Sequence, residues 1–448
     1  MIKVYKFGGS LLNSVIGFEQ LKKIMLNSIE VLNNTNTTNN NIIENKTIIV
    51  ISAFGKTTAK LGRAAKLAEQ GFYNEAVNIV DDIFNYHILL SNELKLNSNN
   101  IKIFKELLED IKQQIIKLIR GVYITQVLTL RTKDMILSFG EIIASQFVSL
   151  FLIDRGIKNL FFNISEILVT DNNFGNANPN ISATKQKFIK HFIPLIAQNN
   201  CIITQGFIAS SITGEVTTMG MESSNLTATI IAGILKADEF IIWTDVEGIR
   251  SGDPKLFKNT ILLKNISYDF AEILALYGVK LLYPKMIKYM RLFDLSVKFC
   301  SGININGEST MVDKKGDDNK YEVLIYKENI TLLYKKLNNN YDDNYNLSIN
   351  YDINYISKTP NKITLIADNI ERNTKNNLII NGYNCIENIC GLIGINLLAN
   401  CNLIDYAVHI LNDKNKKLLN NIEEILNDYD GISKISRNYF LKKDKVNS

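Results

Sequence analysis

The sequence predicts an α/β protein, a mostly parallel sheet sandwiched by helices, followed by a smaller C-terminal α+β region. Short apolar runs alternate with longer amphipathic ones through the first two thirds of the chain, the pattern of strands joined by crossover helices. Several of these apolar runs end in turns rich in Gly, Ser, Thr or Asp, and open α/β sheets gather ligands at such carboxyl ends. After roughly residue 315 the pattern changes to shorter strand-like pieces, Tyr321 to Ile325, Lys362 to Ala367 and Asp405 to Leu411, with helical stretches between them.

A chain of 448 residues with 46% hydrophobic content exceeds one ordinary core, so two domains are expected, 1–315 and 316–448. The net charge of +5 is spread over 50 basic and 45 acidic residues without a basic block, which points to neither a nucleic-acid nor a membrane partner. Five cysteines at irregular spacing fit a reducing compartment better than a disulfide framework. His87, His191 and His409 stand in no zinc-binding spacing, and no metal site is expected. The chain starts with a strand pattern, and no uncharged apolar run reaches membrane-spanning length, so the expected location is cytoplasmic. Asparagine-rich stretches at 33–41, 97–100 and 338–355 read as solvated loops.

In chain order, the strand Ile2 to Phe7 runs into Lys6-Phe7-Gly8-Gly9-Ser10. Two glycines let the backbone turn sharply, so that amides and the Ser10 hydroxyl can approach phosphate oxygens beside a lysine. A buried strand, Thr47 to Ser52, leads into Ser52-Ala53-Phe54-Gly55-Lys56-Thr57-Thr58, a small hydroxyl-bearing turn. Helices follow over Lys60 to Glu69, Asn74 to Leu90 and Ile101 to Arg120. Arg131-Thr132-Lys133-Asp134 and Ser138-Phe139-Gly140-Glu141 precede a helix expected over Ile142 to Ile153. A carboxylate at a helix start is as readily a partner of the helix dipole as a ligand.

Two further strands carry chemistry at their ends. Cys201 to Gln205 is followed by Gly206-Phe207-Ile208, and then Thr217 to Ala228 forms a hydroxyl-rich loop entering a helix, an anion site in kind. Glu239 to Thr244 ends in Thr244-Asp245-Val246-Glu247-Gly248, with Asp253-Pro254-Lys255 beyond.

These five motifs in this order resemble the aspartokinases of the amino-acid kinase family. The resemblance covers roughly residues 1 to 315 and includes Ser267-Tyr268 and Tyr277 to Lys285. It implies transfer of the γ-phosphoryl group of MgATP to the side-chain carboxylate of L-aspartate. The product would be 4-phospho-L-aspartate, a first step towards lysine, threonine and methionine. On the same basis Lys6 would neutralise the transferring phosphoryl, with Gly8, Gly9 and Ser10 cradling it. Ser52, Thr58, Glu141, Met221 and Ser224 fall on the substrate side, with Glu141 holding its ammonium. Thr244, Asp245, Arg250, Lys255 and Lys280 fall where the family contacts ATP.

Two positions depart from the family pattern. Met221 stands where an arginine is expected to clamp the substrate α-carboxylate, and Asn225 stands where an aspartate organises the catalytic lysines. A lost arginine fork removes a bidentate contact worth roughly a few kcal/mol. Three readings stay open: an aspartate kinase with a rebuilt site, another amino-acid or carboxylate kinase, and a non-catalytic or weakly active amino-acid-binding regulator. For residues 316–448 the resemblance implies ACT-type modules that bind a lysine or threonine effector and assemble dimers, with the second module divergent.

Overall fold

The computed structural model describes residues 1–30, 45–254, 260–276, 278–279, 281–318, 321–336, 353–359, 362–368 and 384–396. The strands are β1 (Ile2–Phe7), β2 (Lys46–Ile51), β3 (Leu160–Phe161), β4 (Val169–Thr170), β5 (Cys201–Gln205), β6 (Ile208–Ser211), β7 (Val216–Thr218), β8 (Glu239–Thr244), β9 (Asn265–Ser267), β10 (Val297–Ser301), β11 (Ser309–Asp313), β12 (Glu322–Lys336), β13 (Ile353–Thr359), β14 (Lys362–Asp368) and β15 (Asn384–Asn396). The α-helices are α1 (Val15–Glu30), α2 (Thr57–Glu69), α3 (Tyr73–Glu93), α4 (Ser98–Thr125), α5 (Leu130–Asp154), α6 (Ile181–Lys187), α7 (Ile193–Gln198), α8 (Ser224–Leu235), α9 (Tyr268–Leu276) and α10 (Pro284–Phe293). Two compact units result, Met1–Gly248 with Lys285–Lys314, and Ile249–Pro284 with Lys315–Ser448.

The first unit is built on a sheet in the order β3-β5-β2-β1-β8-β10-β11, parallel except for the β10–β11 pair. Its register aligns the ends of the central strands. Phe7 pairs with Ile51 on one side and Trp243 on the other, and Ile51 pairs with Gln205. The turns that follow Phe7, Ile51, Gln205 and Thr244 therefore leave the same edge of the sheet. A smaller sheet, β4-β6-β7, carries the segment that enters α8.

Apolar helices cover the sheet for the reason their spacing suggests. Phe147 and Phe151 of α5 pack with Phe18 and Phe54, ring centroids 5.1 to 5.9 Å apart, and all four are fully buried. By length and composition α5 could cross a membrane, a test that a buried core helix also meets, and its apolar side is taken up by these contacts.

Several helices extend beyond the expected spans. α5 begins at Leu130, capped by the Thr129 hydroxyl accepting the Thr132 N–H at 3.1 Å, so Glu141 sits in mid-helix and not at a helix start. The polar stretch 97–100 is not a loop. Asn97 caps α4 by accepting the Asn100 N–H at 2.8 Å, and the buried Asn100 donates to Asp154 at 3.1 Å. Asparagine favours caps for the same reason it favours turns, since its side chain satisfies a nearby amide.

In the second unit the Tyr321 hydroxyl accepts the N–H groups of Lys264 and Asn265 at 3.0 and 3.3 Å, and Tyr321 stacks on Phe270. An antiparallel sheet follows in the order β13-β14-β12-β15. The strand expected over Tyr321 to Ile325 is the start of the much longer β12, which has an irregularity between Lys327 and Ile330. Cys385 to Cys390 and Gly394 to Asn396 both belong to β15. The end of the 338–355 stretch enters β13 instead of staying a loop. The tract at 33–41 and the segment Asp405 to Leu411 lie outside the described residues.

Candidate active site

The turn after β1 is held to the sheet at its start and open beyond. The Gly8 N–H donates to the Trp243 carbonyl at 3.0 Å, and the Leu11 and Leu12 N–H groups return to the Gly8 carbonyl at 3.1 and 3.3 Å. Among the described residues neither the Gly9 nor the Ser10 N–H has an acceptor. Two adjacent amides without partners form a ready seat for anionic oxygens. The Ser10 hydroxyl donates to Asp245 Oδ1 at 2.7 Å, which ties this turn to the end of β8.

Lys6 reaches over the turn, its Nζ 3.7 Å from where a Cβ on Gly8 would stand. Although the residue keeps partial solvent access, the surrounding protein pushes its ammonium down to about 8. Glu141 and Glu222 act in the opposite direction. Among the described residues Lys6 makes no ion pair within 4.0 Å.

Opposite stands the turn after β2. Ala53 donates its N–H to Glu141 Oε2 at 2.7 Å, and the Ser52 N–H donates to the Phe7 carbonyl at 3.3 Å. Gly55 and Lys56 both adopt left-handed backbone, φ 64° and 57°, which turns the chain into α2. Gly140 lets this turn approach α5, since a Cβ there would lie 3.2 Å from Thr58 Oγ1. Burial pushes the Glu141 carboxyl up to about 8, against the Ala53 N–H and Lys6, which favour its ionised form. Glu141 and Lys6 thus each stand short of counter-charge.

The turn into α8 closes a third side. Gly206, at the exit of β5, packs on Ser224 so tightly that a Cβ would stand 2.4 Å from the Ser224 Cβ. Asp134, seven residues before Glu141 on the same face of α5, accepts the Thr218 N–H at 2.9 Å, the Thr218 hydroxyl at 2.7 Å and the Gly175 N–H at 2.8 Å. It thereby anchors β7, which runs into this turn. Ser223, Ser224 and Asn225 are buried, and Ser223 Oγ has no hydrogen-bond partner among the described residues. Met221 is 67% exposed and carries no charge to offer. Glu222 takes a left-handed φ of 65° beside it.

On the far side, Thr244 Oγ1 donates to the Val246 carbonyl at 2.8 Å and accepts the Val246 N–H at 3.2 Å, leaving Asp245 exposed. Arg250 belongs to the second unit, where its guanidinium donates to Thr260 Oγ1 at 2.9 Å and to the Thr260 carbonyl at 2.6 Å. Lys255 and Lys280 lie outside the described residues.

The fold therefore brings together Lys6, Gly8, Gly9, Ser10, Ser52, Glu141 and Asp245, with Thr58 against Gly140 on the side of the β2 turn and Ser224 and Asn225 on the wall at the start of α8. Sequence reasoning assigned nothing to Asp134, although its spacing to Ser138 and Glu141, four and seven residues, is a polar stripe at helical period. The amide of Ala53 had no sequence signal at all, because any residue supplies one.

Known proteins resemble this chain along most of its length. The profile of the amino acid kinase family matches residues 1–301. Aspartokinase 1 of Arabidopsis thaliana is 28% identical over 340 residues, 74% of this chain and 55% of that protein. Lysine-sensitive aspartokinase 3 of Escherichia coli is 27% identical over 333 residues, 74% of this chain and 69% of that protein. The chain thus spans little more than half the length of the plant relative. The crystal structure of E. coli aspartokinase III in complex with aspartate and ADP superposes with a TM-score of 0.72 at 23% identity, covering 90% of both chains, which shows a shared fold. By the extent of the family match, this chain belongs to the amino acid kinase family.

Proposed function

We propose that the chain is an aspartate kinase, transferring the γ-phosphoryl group of ATP to the side-chain carboxylate of L-aspartate to give 4-phospho-L-aspartate. One observation carries the reading most directly. Among the described residues the Lys6 ammonium has no ion-pair partner within 4.0 Å; it lies beside the open amides of Gly9 and Ser10 and in the electrostatic reach of Glu141, a buried carboxyl that likewise has no cation partner within 4.0 Å among those residues. A phosphate anion would satisfy the first and an amino-acid ammonium the second. The names of the relatives support aspartate as that amino acid.

The chemistry suits such a site. An ionised acceptor carboxylate oxygen attacks the γ-phosphorus, a new P–O bond forms, and the bond to the β,γ-bridging oxygen breaks to release ADP. The nucleophile carries no proton, so no general base is needed, and the protein's task is to position the reactants and offset charge. Lys6 would counter the equatorial oxygens, Gly8, Gly9 and Ser10 would hold the phosphates, and Glu141 would orient the acceptor with Ser52 and Thr58 flanking it. Thr244 and Asp245 would meet the nucleotide, and by the family resemblance Arg250, Lys255 and Lys280 are further ATP-contact positions. Mg2+ would arrive with the nucleotide as part of the substrate.

Met221 and Asn225 remove charge from the third wall, and the α8 turn with Ser224 would take over there as a set of neutral donors. We also assign residues 1–315 to catalysis and 316–448 to regulation and dimerisation. Lysine is the first effector to test, in view of the named sensitivity of the E. coli relative.

Purified protein with MgATP and L-aspartate should yield an acyl phosphate that hydroxylamine traps as a hydroxamate. Glutamate and N-acetylglutamate in parallel test the other kinase reading. A folded wild-type protein whose signal does not exceed that of Lys6→Ala with any acceptor would leave the non-catalytic regulator in place.

A further inference from the structure

Three segments meet at Tyr86 of α3. Its hydroxyl donates to Asn13 Oδ1 at 3.0 Å, and Asn13 ends the short helical turn that follows Gly8-Gly9-Ser10. Its ring lies against Gly55, where a Cβ would stand 2.3 Å from Tyr86 Cε1 and 2.9 Å from Cδ1. The same ring lies 5.7 Å beneath the Lys60 ammonium at the start of α2 and 5.1 Å from His87. One aromatic side chain thus touches both the segment that would hold phosphate and the segment that would hold the acceptor.

The two turns also meet directly. A Cβ on Gly9 would stand 2.0 Å from the Ala53 carbonyl oxygen, so their backbones already lie as close as sterics allow. That contact sets a lower limit on their separation, but repulsion cannot keep them from parting. The β1–β2 pairing and the Ser52 N–H bond to the Phe7 carbonyl hold the two turns together at their roots, and Tyr86 adds a tie farther out, because the Asn13 hydrogen bond resists opening on one side while the ring backs Gly55 on the other. A tyrosine has two side-chain torsions and loses little freedom in doing this.

We propose that Tyr86 is a positioning residue for phosphoryl transfer, fixing the acceptor turn against the phosphate turn so that the reacting atoms meet at in-line distance. The role rests on the kinase reading above. Transfer is sensitive to small displacements, and a misplacement of about 1 Å can cost on the order of a hundredfold in rate. A residue of this kind affects turnover more than it affects the binding of either substrate alone.

Tyr86→Phe keeps the ring and removes the hydroxyl, and Asn13→Ala removes the acceptor. Each should lower kcat by about tenfold and change the KM for MgATP and for aspartate by less than about twofold. The double variant should be no slower than either single one. Wild-type kcat in Tyr86→Phe, losses that multiply in the double variant, or a loss confined to KM would overturn the proposal.

Amide hydrogen exchange on the full chain reads the same contact without turnover. In Tyr86→Phe residues 8–13 and 52–58 should exchange faster together while α3 keeps its protection, and unchanged exchange in either segment would refute the clamp. A wild-type protein inactive with every acceptor would reject the kinase reading alone, and the exchange comparison would still decide whether Tyr86 couples the two turns.

Discussion

The carboxylate of Glu141 accepts the backbone N–H of Ala53 at 2.7 Å, which joins the centre of α5 to the turn after β2. This contact explains how a buried carboxyl is tolerated without an ion pair among the described residues. It also leaves the second carboxylate oxygen available for an incoming ammonium, which would restore the ionised form that burial disfavours.

Glu141→Gln should separate binding from stability. The amide oxygen can still accept the Ala53 N–H, so the fold should hold, while the KM for the acceptor should rise about a hundredfold with loss of a charge-assisted bond. The native carboxyl is raised from 4.5 to about 8, so its neutral form contributes stability that is present below the ordinary value and lost as pH rises through about 8. Thermal unfolding followed from pH 5 to pH 9 should show the wild type losing stability relative to Glu141→Gln.

Lys6 should set the alkaline limb of activity. Its ammonium is lowered to about 8, and phosphate needs the charged form, so kcat/KM for MgATP should fall about tenfold per pH unit above that value. Lys6→Ala should remove activity at every pH, by more than about a hundredfold. A flat profile to pH 10 in the wild type would contradict the assignment.

Gly9 and Gly8 should respond unequally to alanine. At Gly9 the new methyl group would meet the Ala53 carbonyl oxygen at 2.0 Å, whereas at Gly8 its nearest neighbour would be the Trp243 carbonyl oxygen at 3.5 Å. Gly9→Ala should cost roughly 1–3 kcal/mol by chemical denaturation and reduce activity, because backbone has to shift. Gly8→Ala should cost less than about 1 kcal/mol.

His87 should make the first unit acid-sensitive. Its Nδ1–H donates to the Ile83 carbonyl at 2.7 Å, its buried Nε2 has no partner among the described residues, and burial lowers its pKa to about 4. The unfolded chain binds this proton below 6.5 and the folded one only below about 4, so stability falls as pH drops across that window. The full effect is about 3 kcal/mol at ~1.4 kcal/mol per pKa unit. Urea titrations at pH 7 and pH 4.5 should show a smaller difference for His87→Leu than for the wild type.

Much of this architecture was legible in residue order. Alternating apolar and amphipathic runs marked β1, β2, β5 and β8, and the Gly, Ser and Thr turns after them marked the ligand edge, because both signals are local. The beginning of α5 was not legible. Gly140 and the charged run 131–134 resemble a loop, and only packing against β7 and the β2 turn turns Asp134 and Glu141 inward. The asparagines at 97–100 misled for a related reason, since the same side chain that solvates a loop also caps a helix.

By itself the sequence determined strands β1, β2, β5 and β8, the glycine turn beside Lys6 and the membership of a kinase family, all carried by neighbouring residues in fixed order. Tertiary structure alone decided which groups share the site and in what electrostatic state. The perturbed charges of Lys6 and Glu141, the bond from Ala53 and the bridge made by Tyr86 depend on burial and on contacts between segments tens of residues apart. Desolvation and hydrogen-bond geometry act only once the chain has closed around them.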